Sequence, residues 1–201
     1  MTENILLELP RLGEKTRRKQ FNANKEKLVC HPDVLPAFTA WNTIKKAQPP
    51  LSSIPAVILE SHIRASSKIA ITDELTTEEA SQSPRTTLYF LNNFALVQYA
   101  ITTNITKLPI DRVININTEA IQHHAWFEVI KLMFGALDHR HGWVSYRDVI
   151  NQSMPKHLIK QFFDKDQMSV EMLLKWSGMD MRTYERQRAI YRKKHPVVRR
   201  E

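Results

Sequence analysis

Four glycines in 201 residues are the first constraint on this chain. Two-residue hairpin turns need positive φ at their central positions, and glycine supplies it at least steric cost. So small a supply argues against many tight hairpins and favours helices joined by short breaks. The apolar spacing agrees. Leu35, Phe38, Trp41 and Ile44 recur at three-residue steps over 34–46, a segment bounded by His31-Pro32-Asp33 and Pro49-Pro50. Residues 117–138 place Ile121, Ala125, Val129, Leu132 and Met133 on one side, with Gly142 just past the end, and read as the central core helix. Ser83-Pro84 reads as an N-cap followed by proline at the first helical position, predicting a helix to about Thr103. Strand signals are few: alternation over 68–72, within a short element near 55–72, and Val113, Ile114 and Ile116 within 111–117. The expected fold class is therefore mainly α, a multi-helix protein with a minor β element near 55–72 and 111–117.

Composition sets broader bounds. With 42% hydrophobic and 25% charged residues the chain can form a packed core. A single cysteine, Cys30, excludes an intramolecular disulfide and gives no basis for a thiolate zinc site. Cys30 is read as a small apolar residue near the core rather than a reactive thiol. The opening Met1-Thr2-Glu3-Asn4 has no basic n-region followed by an apolar stretch, and no uncharged run is long and apolar enough to span a bilayer. A cytoplasmic protein without membrane contact is expected.

The net charge is +8, and its placement matters more than its size. Residues 182–201 hold eight basic and two acidic side chains, a net +6. Residues 11–27 hold seven basic and two acidic ones, a net +5, which leaves the remainder at −3. Positive charge gathered near both ends favours a polyanion through phosphate contacts and counterion release. Four regions are expected: a basic arm over 1–30, a helical scaffold over 31–141 with a polar linker near 73–83, a basic helical domain over 142–195, and a basic tail over 196–201. In the arm, Arg17, Arg18 and Lys19 are candidate phosphate contacts. A merely solvated tail is the plainer alternative.

From 142 onward short helices alternate with tight breaks. Ser145 with Asp148 has the spacing of a helix-start cap, and Pro155 opens a helix to Phe163. Ser169 caps the next helix, Gly178 ends it, and Asp180 caps a final basic helix running to about Lys194. The segment 170–190 resembles the helix-turn-helix family of DNA-binding motifs. Leu173, Leu174, Met179 and Tyr184 would join its two helices. Leu174 stands where that family has a small residue, and Ser177 and Gln187 where it has apolar ones. The resemblance implies a recognition helix that presents Arg182, Thr183, Arg186 and Gln187 to bases or phosphates, with Arg188, Arg192, Lys193 and Lys194 on the backbone.

Enzymatic signatures are lacking. There is no G-x-x-x-x-G-K-[ST], G-x-G-x-x-G, G-x-S-x-G or H-E-x-x-H run. His123, His124, His139 and His141 form the one histidine-rich stretch, and their spacing along a helix does not converge on one ion. The sequence is read as that of a non-enzymatic protein without metal or cofactor. The expected role is that of a DNA-binding regulator or DNA-processing accessory factor, with RNA as the other nucleic-acid partner and a homodimer as one assembly. Two alternatives stay open: a subunit that holds nucleic acid without sequence choice inside a larger nucleoprotein complex, and an adaptor whose basic helix meets an acidic protein.

Overall fold

A chain short of glycine still needs left-handed backbone, and here asparagine and aspartate provide it. Asn93, Asn104, Asn115 and Asp164 have φ of 56°, 53°, 53° and 52°. Their short polar side chains make this region tolerable where a larger residue would clash. The computed structural model describes residues 9–15, 19–23, 26–44, 46, 69–72, 86–104, 107–134, 137–138 and 142–194. The chain divides into two compact units, Met1–Phe38 with Pro50–Glu128, and Thr39–Pro49 with Val129–Glu201.

The first unit contains a six-stranded mixed sheet. Its strands are β1 (Glu14–Lys15), β2 (Lys19–Asn22), β3 (Glu26–Cys30), β4 (Ile69–Thr72), β5 (Thr86–Phe90) and β6 (Lys107–Ile114). The order is β1-β6-β4-β5-β3, and β2 also pairs with β6. Strands β1 and β2 line β6 in succession, both antiparallel, with Lys15 opposite Val113 and Lys19 opposite Ile110. The β4–β6 and β3–β5 pairs are parallel, whereas β4 and β5 are antiparallel. Glu26 is buried and accepts a hydrogen bond from the Asn22 amide at 3.0 Å.

Helices follow the strands. His31 accepts from the Asp33 amide at 3.2 Å and caps a 3-10 turn, Pro32–Val34, that leads into α1 (Leu35–Thr43). Helix α2 (Phe94–Thr103) follows Asn93, and α3 (Thr118–Ile130) is capped by Asn117, whose Oδ1 accepts from the Glu119 amide at 3.0 Å. Phe38, Phe90 and Phe94 meet edge to face at centroid distances of 5.1–6.4 Å. This geometry suits the aromatic quadrupole. Phe90 and Phe94, with Leu88, Leu108, Ile110 and Trp126, belong to the buried core of this unit, and Phe38 is half-buried beside them.

The second unit is helical. Helix α4 is Gly142–Ser153, α5 Lys156–Phe163, α6 Val170–Ser177 and α7 Met181–Lys194. Trp143, Tyr146, Ile150, Leu158, Ile159 and Phe163 are among its buried side chains. The Tyr146 hydroxyl donates to the Ile130 carbonyl at 3.5 Å, and burial raises its pKa.

The protein is mainly α with a minor β element, as the hydrophobic spacing predicts, and β4 and β6 overlap the two stretches expected to be extended. Several details differ from expectation. Glu14–Lys15, Lys19–Asn22 and Glu26–Cys30 are paired strands rather than parts of an arm, because β6 satisfies backbone groups of the first two and β5 those of the third. Thr86–Phe90 is a strand, not the start of a helix through Thr103; Thr, Tyr and Phe suit a pleated surface, and β3 and β5's other neighbour β4 flank it. The central helix ends at Ile130 and tightens into a 3-10 turn, Lys131–Phe134, and Gly142 opens α4 instead of closing its predecessor. Ser145 lies inside α4, where its hydroxyl donates back to the Gly142 carbonyl at 2.9 Å. The polar linker near 73–83, residues 55–68 of the expected minor element and the tail over 196–201 lie outside the described residues. Among the described residues no helix is long and apolar enough to cross a membrane.

Gly13 occupies a place no other residue fits well. Its φ is +156°, and a Cβ there would come within 2.6 Å of the Ile114 carbonyl oxygen and 2.8 Å of Val113 Cγ1. Gly13→Ala should destabilise the protein by about 2 kcal/mol or more, read as a lowered midpoint in urea at unchanged slope.

Candidate nucleic-acid interface

The site is built from the segment between α5 and α6. Met168 is buried outside any helix, so its backbone groups need partners. Asn151 of α4 supplies them: its Oδ1 accepts from the Met168 amide at 2.7 Å, and its Nδ2 donates to the Met168 carbonyl at 3.1 Å. Arg147 Nε donates to the same carbonyl at 3.0 Å. The next residue, Ser169, caps α6 by accepting from the Met172 amide at 3.1 Å. Trp176 at the far end of α6 lies against Phe163 of α5, with ring centroids 5.4 Å apart. Both ends of α6 are thus held.

The turn into α7 is equally determined. Gly178 adopts φ 65°, the left-handed conformation that stops α6. Ser177 Oγ accepts from the Met179 amide at 3.1 Å and donates to the Leu174 carbonyl at 3.4 Å. A polar residue therefore stands where an apolar one was expected because it satisfies the turn's own backbone. Asp180 then caps α7: Oδ1 accepts from the Thr183 amide and Oδ2 from the Thr183 hydroxyl, both at 2.8 Å. These two bonds, the backbone one first, hold the Asp180 carboxyl below its ordinary pKa of 3.8.

Helix α7 has two distinct faces. Its inner face carries Tyr184, 1% exposed, and Gln187, 7% exposed, and α7 lies against α4. Tyr191 is half-buried, and burial, then the charge of Asp148 on α4, raises its pKa. On the outer face Arg182, Arg186, Ala189 and Lys193 are exposed. At 3.6 residues per turn these four fall in one stripe, about 16 Å from end to end. Arg192 is exposed beside it. Glu185, the acid nearest the stripe, is taken by Arg188, with Oε1 and Nη1 3.2 Å apart. Among the described residues no carboxylate pairs with Arg182, Arg186, Arg192 or Lys193.

Of the residues singled out from sequence, α7 brings together Arg182, Arg186, Arg192 and Lys193, and Lys194 is its last residue. Two candidates are placed otherwise than expected. Gln187 faces inward, because it falls one turn from Tyr184 on the buried side, and is not presented to a ligand. Thr183 is exposed, but its hydroxyl is committed to Asp180. Arg188 is half-buried in its pair with Glu185. Lys19 lies in β2 of the other unit, and Arg17 and Arg18 lie outside the described residues. Asn151 and Arg147, which set the start of α6, had no sequence signal, since a single polar residue on a helix does not reveal a distant backbone partner.

The histidines do not assemble. His123 is buried with Nδ1 2.8 Å from the Glu119 carbonyl, and His124 Nε2 is 2.8 Å from the Pro10 carbonyl. His139 and His141 lie outside the described residues. Among the described residues no group of three or more His, Cys, Asp or Glu side chains is placed to hold a metal ion. Cys30 is half-buried, and burial pushes its thiol up to about 12. Compared with protein-family models, curated proteins and solved structures, the chain matches none.

The Asp180 cap has a pH signature. Its folded pKa is depressed, so its ionisation stabilises the fold above the unfolded value near 3.8, and that contribution is lost as pH falls through the folded value. Asp180→Asn keeps a capping side chain without the charge. The Tm of the native protein should exceed that of the variant by a constant margin well above pH 3.8, and the margin should narrow as pH falls below it. A margin independent of pH would show that the charge adds nothing to the cap.

Proposed function

We propose that this chain binds nucleic acid, with duplex DNA as its partner, through the exposed basic face of α7. One observation carries the reading: Arg182, Arg186 and Lys193 lie in a single stripe, with Arg192 beside it, and no carboxylate among the described residues neutralises them. A solvated helix face of ordinary type interleaves both signs, because like charges at helical spacing repel. A uniform stripe is retained at a cost in stability, and a polyanion removes that cost. Phosphates do so with release of condensed counterions, which gives affinity without further contacts. The role in keeping with this is that of a regulator or a DNA-processing accessory factor.

A mobility-shift titration tests the reading. The full-length protein should retard duplex DNA, and the logarithm of its affinity should fall linearly with the logarithm of salt concentration. Arg182→Ala with Arg186→Ala should lower that slope by roughly 1.8, about 0.9 for each lost phosphate contact. Retardation undiminished by the double substitution would rule out α7 as the contact.

A further inference from the structure

Helix α7 is buried on the side of Tyr184, Gln187 and the half-buried Tyr191. At about 100° per residue, the exposed Arg182, Arg186, Ala189 and Lys193 fall within an arc of about 60° directly opposite that side. Arg192 lies about 80° round the axis from Arg182, and Thr183 about 100° round in the other direction. When a helix enters the major groove of a duplex, the line directed away from the protein body faces the groove floor, where base edges are displayed. Residues on its flanks face the groove walls, along which the phosphates run.

Few side chains read base edges. Asn or Gln pairs with adenine, Asp or Glu accepts from cytosine, Ser or Thr serves either base type, and Arg or Lys pairs with guanine O6 and N7. The one carboxamide of α7, Gln187, is 7% exposed on the inner side. The Thr183 hydroxyl lies on a flank and donates to Asp180 Oδ2 at 2.8 Å. Glu185 is paired with Arg188 at 3.2 Å. The outward line therefore holds two arginines, Arg182 and Arg186, with Lys193 about three turns beyond Arg182. Neither arginine pairs with a carboxylate among the described residues. Ala189, on the same line, adds no bulk and lets the helix approach a groove floor closely. The N-terminal residues of a helix docked in this way are the ones that reach the base edges.

We infer that Arg182 and Arg186 read guanine, so that α7 selects duplex DNA with two guanines about two base pairs apart. Four helical residues rise about 6 Å, and stacked bases about 3.4 Å each, which sets that spacing. This rests on the reading of α7 as the nucleic-acid contact and narrows it from accessory factor toward regulator. The B-form major groove, about 12 Å wide, admits an α-helix, whereas side chains cannot read the narrow major groove of duplex RNA. An arginine on the groove floor still lies between two rows of phosphates, so its charge also releases counterions. Salt response and base choice are thus separate readouts of the same two residues.

Selection from a duplex library randomised over about one helical turn, with the full chain at about 50 mM salt, tests the inference. The bound pool should be enriched in guanine at two positions about two base pairs apart. Arg182→Ala should remove the enrichment at one position and Arg186→Ala at the other, each lowering affinity for the selected duplex by about fivefold or more. Arg192→Ala removes the same residue type from the flank. It should weaken selected and unselected duplexes alike and leave both positions enriched. The three side chains are exposed, and unchanged circular dichroism verifies that the variants fold. A bound pool without guanine enrichment, or an enrichment that neither Arg182→Ala nor Arg186→Ala changes, overturns the inference and leaves the nucleic-acid reading standing. Retention of no duplex at about 50 mM salt overturns the underlying reading itself.

Discussion

The grip of Asn151 on both backbone polar atoms of Met168 is the interaction on which the helical unit's outer surface depends. Met168 sits at a break between helices, buried, where no repeating pattern pairs its amide and carbonyl. Leaving either unpaired would cost about 1–3 kcal/mol, more than the bond itself contributes net. Once Met168 is fixed, Ser169 is in place to cap α6, and the end of α6 determines where Gly178 must turn. Asp180 then starts α7. The sequence of steps links one half-buried carboxamide to the start of a basic helix fourteen residues long.

The placement of α7 divides its polar residues by use. Gln187 is buried, while on the surface the Thr183 hydroxyl is bonded to Asp180 and Glu185 is paired with Arg188. Those left outward are charged and long. Arginine and lysine stems can lie along apolar surface with their heads in water, so such a face is soluble alone and adaptable when it meets a polyanion. The structure also shows why two of the three residues that depart from a helix-turn-helix pattern do not disturb the fold. Ser177 satisfies the turn's backbone, and Gln187 occupies the inner face beside Tyr184.

The helical unit was legible in the sequence because its signals are local. Ser169, Gly178 and Asp180 are capping residues with a mechanism of their own, and α6 and α7 follow from them almost residue by residue. The sheet was not. Scarce glycine spoke against turns, yet Asn93 and Asn115 supply the positive φ after β5 and β6. Thr86–Phe90 follows a strong helix-start pair, and only its neighbours β3 and β4 make it a strand. The basic segment near the N-terminus reads as an arm because its partner, β6, lies about ninety residues later in the chain, out of reach of any local pattern.

By itself the sequence determined the class of the protein, the caps and breaks of its second half, and the concentration of positive charge near its ends. These depend on residue type, spacing of a few residues, and counts. Only the tertiary structure decided which side of α7 faces outward, and therefore that its carboxamide is withdrawn while Arg182, Arg186, Arg192 and Lys193 are not. The physical reason is that a helix presents polar residues all around its axis, and burial against α4, a segment some forty residues earlier, selects among them.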